Sequence, residues 1–274
     1  MIELTAETQL KALLAADTGF GDITSHLLDE KSGHAYIVGK EDCILSGMEY
    51  AKYLFESRGL SVELLFKDGE HIRKGEKIIS ISGLYENIFE VERTALNVLT
   101  RMSGIATETQ RLVEKVRRSA STCRVAATRK TVLQFFDKEA VSTGGGDSHR
   151  FRLDDMVLLK DSHVKVLGIE EAIRKAKTLS FSKKVEIEVS SREDAVTAAT
   201  CGADIIMLDN MDCDVAKETV KAVKKINSAI IIEASGGITE ENIERYAQAG
   251  VDIISVGYIT HSVKAVNMSL EVGV

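Results

Sequence analysis

Ile205-Ile206-Met207-Leu208-Asp209-Asn210 is followed by a stretch of helical period over 213–226 and then by Ile230-Ile231-Ile232-Glu233-Ala234-Ser235-Gly236-Gly237. A short aliphatic run, a polar or glycine-rich end and an amphipathic stretch make one βα unit. The same order recurs on both sides. Residues 123–127 lead into Thr128-Arg129-Lys130, 156–159 into Lys160-Asp161-Ser162-His163, 185–187 into Glu188, and 253–256 into Gly257. Helical patterns over 168–178, 191–201 and 239–249 fill the intervals. This grammar predicts a parallel α/β sheet whose site gathers at the carboxyl ends of the strands. A closed barrel takes eight such units and about 200 residues or more. The expectation is therefore an open, incomplete parallel α/β barrel of about six strands, needing a first domain or a neighbouring subunit to cover it.

Up to about Ser82 the pattern differs. A helix is expected over 6–16, a two-glycine turn at Thr18-Gly19-Phe20-Gly21-Asp22, short strands at 35–38 and 43–45, and a helix over 48–57. Residues 66–78 read as a hairpin turning at Gly69 and Gly75; Lys67 or Lys74 gives only a weak match to a carrier-domain lysine, and a structural hairpin is the stronger reading. Ile88, Val91, Ala95, Leu96, Leu99 and Met102 lie at helical spacing, and Gly104 separates this helix (85–101) from a second over 106–118. The predicted division is an N-terminal α+β domain over 1–105, rejoined by 265–274, and a barrel over 106–264.

The 274 residues are 44% hydrophobic and 28% charged, which suits a globular chain with a full core. No apolar run is long enough to cross a membrane. Met1-Ile2-Glu3-Leu4 lacks the basic and apolar regions of a signal peptide, so a cytoplasmic location is expected. Cys43, Cys123, Cys201 and Cys213 show no metal or disulfide spacing and read as reduced thiols. Proline is absent, which leaves turns to Gly, Asp and Asn. The net charge of −7 argues against a general nucleic-acid binder, and it gives weight to any local gathering of cations.

Such a gathering is present. Arg129, Lys130, His149, Arg150, Lys160 and His163 all fall at strand ends or in the Gly144-Gly145-Gly146-Asp147-Ser148-His149-Arg150 loop, directed toward one mouth. Arg offers a planar fork and Lys a point charge for a multiply charged anion. The three glycines suit close backbone approach to a ligand or an anion nest. Glu188 and Asp209, at the next two strand ends, suit Mg²⁺ held through water or ribose hydroxyls, with ion pairing to the cations as the alternative. Glu186 shares the face of Glu188 and competes for that role. Ser235-Gly236-Gly237 and Ser255-Val256-Gly257, late in the sheet and before helices, form the usual phosphate pair of loops. His261 either reaches that phosphate or caps a helix.

Several motifs in order carry a family resemblance. They are Gly19-Phe20-Gly21-Asp22-Ile23-Thr24-Ser25, Glu92-Arg93-Thr94-Ala95-Leu96-Asn97, Ser103-Gly104-Ile105-Ala106-Thr107 and Thr128-Arg129-Lys130-Thr131. The Gly144–Arg150 loop just quoted, Leu208-Asp209-Asn210-Met211, Glu233-Ala234-Ser235-Gly236-Gly237-Ile238 and Ser255-Val256-Gly257 with Thr260-His261-Ser262 continue the series. Over nearly its whole length the chain resembles quinolinate phosphoribosyltransferase, the carboxylating nicotinate-nucleotide pyrophosphorylase family. The resemblance implies an N-terminal α/β sandwich domain, an open α/β barrel and a homodimer. It implies transfer of a phosphoribosyl group from phosphoribosyl pyrophosphate to quinolinate with Mg²⁺, giving nicotinate mononucleotide, pyrophosphate and CO₂. By matching motifs, Arg129, Lys130, His149, Arg150 and Lys160 would line the quinolinate and pyrophosphate pocket, and Arg93 would enter the neighbouring subunit's site. Glu188 and Asp209 would face ribose and metal, while Ser235, Gly236, Gly257 and His261 would hold the 5′-phosphate. Two positions depart from the family pattern: Val132-Leu133-Gln134 replaces a longer Pro-Gly type turn, and Ser162 stands where Asn is usual. The competing readings are a paralogue encoded with molybdate-transport genes, a nicotinate phosphoribosyltransferase and a non-catalytic anion-binding barrel.

Overall fold

The computed structural model describes residues 3–119 and 122–273. Met1 and Ile2, part of the start read as lacking a leader, lie outside the described residues, as does Val274 at the end of the expected C-terminal return. Along the chain the elements run α1 (Leu4–Thr18), a 3-10 turn (Ser25–Leu28), β1 (Ser32–Gly39), β2 (Cys43–Ile44), α2 (Met48–Glu56), β3 (Ser61–Leu64), β4 (His71–Ile72), β5 (Lys77–Leu84) and α3 (Tyr85–Ser119). Then come β6 (Arg124–Ala127), α4 (Gln134–Thr143), β7 (Val157–Leu159), α5 (Asp161–Leu167), α6 (Ile169–Leu179), β8 (Val185–Val189) and α7 (Arg192–Thr200). The chain ends with β9 (Ile205–Asp209), α8 (Cys213–Ile226), β10 (Ile231–Ser235), α9 (Ile243–Gln248), β11 (Ile253–Val256), α10 (Tyr258–His261) and β12 (Met268–Gly273).

The described residues form two compact units. The first takes the chain up to Gln110, then 131–145 and the segment from Val263. Its antiparallel sheet has the order β12-β1-β5-β3. Alternation buries one face: Ala35 and Ile37 of β1, and Ile79 and Ile81 of β5, are fully buried. The hairpin expected over 66–78 is not one. Gly69 and Gly75 do sit in left-handed turns, but β4 pairs with β2, and β5 pairs with β1 and β3. The partners are thus set by the apolar faces available in the sheet and not by chain proximity.

Gly104 does not break its helix either. The helix α3 runs unbroken for 35 residues. A Cβ on Gly104 would overlap the carbonyl of Lys264, so the glycine admits the close passage of the C-terminal segment. The helix α4 begins where a loop was expected. Its Asp137 is fully buried and accepts Arg101 Nε at 2.8 Å and Nη2 at 2.7 Å, with the Thr131 hydroxyl as a third donor.

The second unit, 111–130 with 146–262, is the α/β part. Its six strands are parallel in the order β6-β11-β10-β9-β8-β7, with β6 and β7 at the two edges. This is the open six-stranded sheet expected from the sequence. Helix starts are fixed locally: Ser191 Oγ accepts the Asp194 N–H at 3.1 Å, and Asp212 accepts the Asp214 N–H at 2.9 Å.

Candidate active site

The carboxyl ends of the parallel strands surround a cavity of about 500 Å³, a volume suited to small-molecule ligands. Its wall brings together Arg129, Lys130, His149, Arg150, Lys160, Glu188, Asp209, Ser235, Gly236 and Gly237. The remaining expected site residues lie elsewhere. Arg93 is exposed on α3, in the first unit. His163 is exposed, and its Nδ1 accepts the Lys160 N–H at 3.0 Å at the start of α5. Gly257 and His261 are outside the cavity wall; the His261 ring lies 3.2 Å from where a Gly257 Cβ would stand, with the Thr128 hydroxyl at 3.6 Å.

Cations crowd one side. Burial first, and then the Arg129 charge, hold the Arg150 guanidinium below its usual value, against the pull of Glu186 and Glu188. The buried Nε of Arg129 has no hydrogen-bond partner among the described residues. An anion entering here would relieve the repulsion between the two guanidiniums and accept a donor that is otherwise unpaired.

The acids face them. Glu188 is half-buried; burial and the Asp209 charge push its carboxyl up, while Lys160 pulls it down. Glu186, two residues earlier on the same face, is fully buried and does not line the cavity. Of the two acids, Glu188 is the one that lines the cavity, one pleat nearer the mouth.

Below the cations sits an arrangement that sequence reasoning missed. The His149 Nε2 lies 3.1 Å from Glu233 Oε2 and 3.4 Å from Glu186 Oε2, and both acids are fully buried. Burial works against a charge on this ring, but the two carboxylates push it up to about 10. The Arg150 N–H acts the other way: it donates to His149 Nδ1 at 2.8 Å, which requires an unprotonated Nδ1. We read the ring from that contact as neutral, with its proton on Nε2. An acid between Ile232 and Ala234 in an apolar strand was the available signal for Glu233. Asn210, at φ 53, and Met207 also line the cavity.

The glycine loop serves packing more than the ligand. Gly144 ends α4, where a Cβ would overlap the Ala106 carbonyl of α3, and none of Gly144, Gly145 and Gly146 lines the cavity. Asp147 stitches the following residues to β6, donating to the Val125 carbonyl at 2.7 Å and accepting the Ala127 N–H at 3.1 Å.

Two family models cover the chain: the quinolinate phosphoribosyl transferase N-terminal domain matches residues 22–103 and its C-terminal domain matches 105–271. The chain belongs to the quinolinate phosphoribosyl transferase family. Relatives from Methanocaldococcus jannaschii and Methanothermobacter thermautotrophicus carry the name "Probable nicotinate-nucleotide pyrophosphorylase", qualified as carboxylating. The first is 46% identical, covering 96% of this chain and 95% of the relative; the second is 42% identical, covering 96% and 97%. The solved nicotinate-nucleotide pyrophosphorylase of Francisella tularensis superposes with a TM-score of 0.92 at 32% identity, covering 100% of this chain and 98% of that one.

Proposed function

We propose that this member of the quinolinate phosphoribosyl transferase family moves the phosphoribosyl group of phosphoribosyl pyrophosphate onto quinolinate, with loss of CO₂, to give nicotinate mononucleotide for NAD biosynthesis. The observation that carries the reading is the pairing of Arg129 and Arg150 in a cavity that also holds Lys130 and Lys160. Two guanidiniums in repulsion, one with an unpaired buried donor, match an acceptor with two carboxylates better than a monocarboxylate. The curated relatives, named for the carboxylating activity, do not favour the molybdate-associated, nicotinate-transferring or non-catalytic alternatives.

In this reading Arg129, Arg150 and His149 orient quinolinate, while Lys130 and Lys160 offset charge on the departing pyrophosphate. Glu188 and Asp209 lie where positive charge develops on the ribose, and burial, with the Asp209 charge added, raises Glu188's affinity for a proton against the pull of Lys160. Those two oxygen-only donors fit a hard divalent cation, so they would hold Mg²⁺ through water. When bound, Mg²⁺ would neutralise charge on the diphosphate. Ser235, Gly236 and Gly237 would receive the 5′-phosphate through backbone N–H groups, with His261 and Gly257 closing the loop beside Thr128. After transfer, the quaternised pyridinium nitrogen is the electron sink for decarboxylation.

Arg93, exposed on α3, is proposed to complete the site of a second subunit in a homodimer. A cytoplasmic location is part of the proposal; among the described residues no helix is long and apolar enough to cross a membrane. A spectrophotometric assay for nicotinate mononucleotide, run with quinolinate and with nicotinate as acceptor, tests the proposal. Product from quinolinate alone supports it; product from nicotinate alone overturns it.

A further inference from the structure

We infer that Glu233 is a positioning residue for acceptor selectivity: it accepts a hydrogen bond from the His149 Nε2–H, turns Nδ1 toward the Arg150 N–H, and thereby sets Arg150 in the cavity. The inference rests on the acceptor assignment just made and extends it to a buried acid in the cavity wall that acts through His149 and Arg150.

A fully buried acid in the middle of a strand is costly unless something accounts for it. Glu233 has one hydrogen-bond partner among the described residues, His149, and its Oε1 has none. The contact spans 84 positions of sequence and joins β10 to the 146–150 loop. Glu186 is nearby at 3.4 Å, but neither of its oxygens has a hydrogen-bond partner among the described residues, so the directed contact to the ring is the one from Glu233.

His149 is held in a conformation it would not choose. Its φ of 53 is left-handed, and its own N–H donates to Asp147 Oδ1 at 2.8 Å. With the backbone so fixed, the ring is the remaining freedom. Donation from Nε2 to Glu233 leaves Nδ1 a lone pair, and the Arg150 N–H uses it. The Arg150 side chain is buried, and its Nη1 reaches the Met156 carbonyl at 3.5 Å. Arg150 is thus held at its backbone through the ring and at its head by the residue before β7.

His149, Glu186 and Glu233 have ligand atoms within 4.8 Å of one another, close enough to hold a metal. The ring orientation argues against that role. A histidine bound to metal through Nε2 normally donates from Nδ1, whereas this Nδ1 accepts.

The test uses the full chain with Glu233→Leu and Glu233→Gln. Leucine fills the space without an acceptor; glutamine restores a carbonyl oxygen for the Nε2 proton. Quinolinate and nicotinate affinities are measured by calorimetry, and the His149 ring nitrogens are observed by ¹⁵N NMR, assigned with His149→Asn. Glu233→Leu is expected to weaken quinolinate by about tenfold or more, the scale of one lost oriented contact, and nicotinate less. Glu233→Gln should recover most of the quinolinate affinity. The unaltered chain and Glu233→Gln should show a neutral ring with the proton on Nε2, and Glu233→Leu a mixture of tautomers. Equal losses for both ligands, no recovery with glutamine, or an unchanged tautomer in Glu233→Leu each overturn the inference. If quinolinate does not bind even the unaltered chain, the acceptor assignment fails instead, and the NMR comparison still decides whether Glu233 sets the ring. Should Glu233→Leu not fold, the tautomer in Glu233→Gln and in the unaltered chain still decides. A proton found on Nδ1 in the unaltered chain refutes the mechanism.

Discussion

Replacing Gly236 with alanine tests whether the end of β10 is shaped for a phosphate. Gly236 has φ +87, a conformation that costs an L-residue about 1–2 kcal/mol. A Cβ there would also fall 2.5 Å from Cγ and 2.8 Å from Nδ2 of Asn210, and closer still to Oδ1. Asn210 is itself left-handed and lines the cavity, so its side chain can yield only by turning into the space meant for the ligand. Overpacking of this kind costs about 1–3 kcal/mol, for a total of about 2–5 kcal/mol. Gly237 provides the control. It has φ +61 but nothing within 4 Å of its Cβ position, so Gly237→Ala incurs the dihedral cost alone. Calorimetric affinity for phosphoribosyl pyrophosphate and thermal stability should be read for both variants. Gly236→Ala should lose at least about tenfold more donor affinity than Gly237→Ala, or an equivalent amount of stability. Equal effects of the two substitutions on both readouts would show that the Asn210 contact does not shape this loop.

Three further outcomes are expected. Arg150→Gln should weaken quinolinate by about 1.5–3 kcal/mol in calorimetry and nicotinate by less; equal losses would remove the dicarboxylate assignment. Glu139 accepts the Tyr50 hydroxyl, and burial pushes its carboxyl above 4.5 despite that bond. The folded state then binds this proton more tightly than the unfolded one, so its contribution to stability is lost as pH rises past the raised value. The melting temperature of Glu139→Gln relative to the unaltered chain should rise between pH 5 and pH 8, and a relative melting temperature that stays level or falls over that range contradicts the reasoning. Finally, mixing inactive Arg93→Ala with inactive Lys130→Ala should restore some activity if Arg93 serves a neighbour's site; no recovery despite demonstrated subunit exchange would count against that proposal.

Much of the fold was legible because the parallel strands are short aliphatic runs with polar ends, and helices such as α8 have an uninterrupted apolar period. The helix α4 was not, because Asp137 and Lys138 are buried within it and interrupt that period. Gly104 and Gly144 misled for a common reason. In sequence a glycine marks conformational freedom, yet both are required here for close passage of backbone. The cation cluster was readable from strand ends, since each strand end delivers its residues to the same mouth. The Glu233–His149–Arg150 arrangement was not, because its contacts depend on a left-handed loop residue meeting a strand that is distant in sequence.

The central claim is that the cavity joins a pyridine dicarboxylate to a phosphoribosyl group and expels one carboxylate. Quinolinate labelled with carbon-14 in its 2-carboxyl group, incubated with the full chain, Mg²⁺ and phosphoribosyl pyrophosphate, tests this directly. The account predicts labelled CO₂ in one-to-one proportion with pyrophosphate, none when phosphoribosyl pyrophosphate is omitted, and release of both about 10²-fold slower with Asp209→Asn. Pyrophosphate release without labelled CO₂, or CO₂ release that does not require the sugar donor, would contradict it.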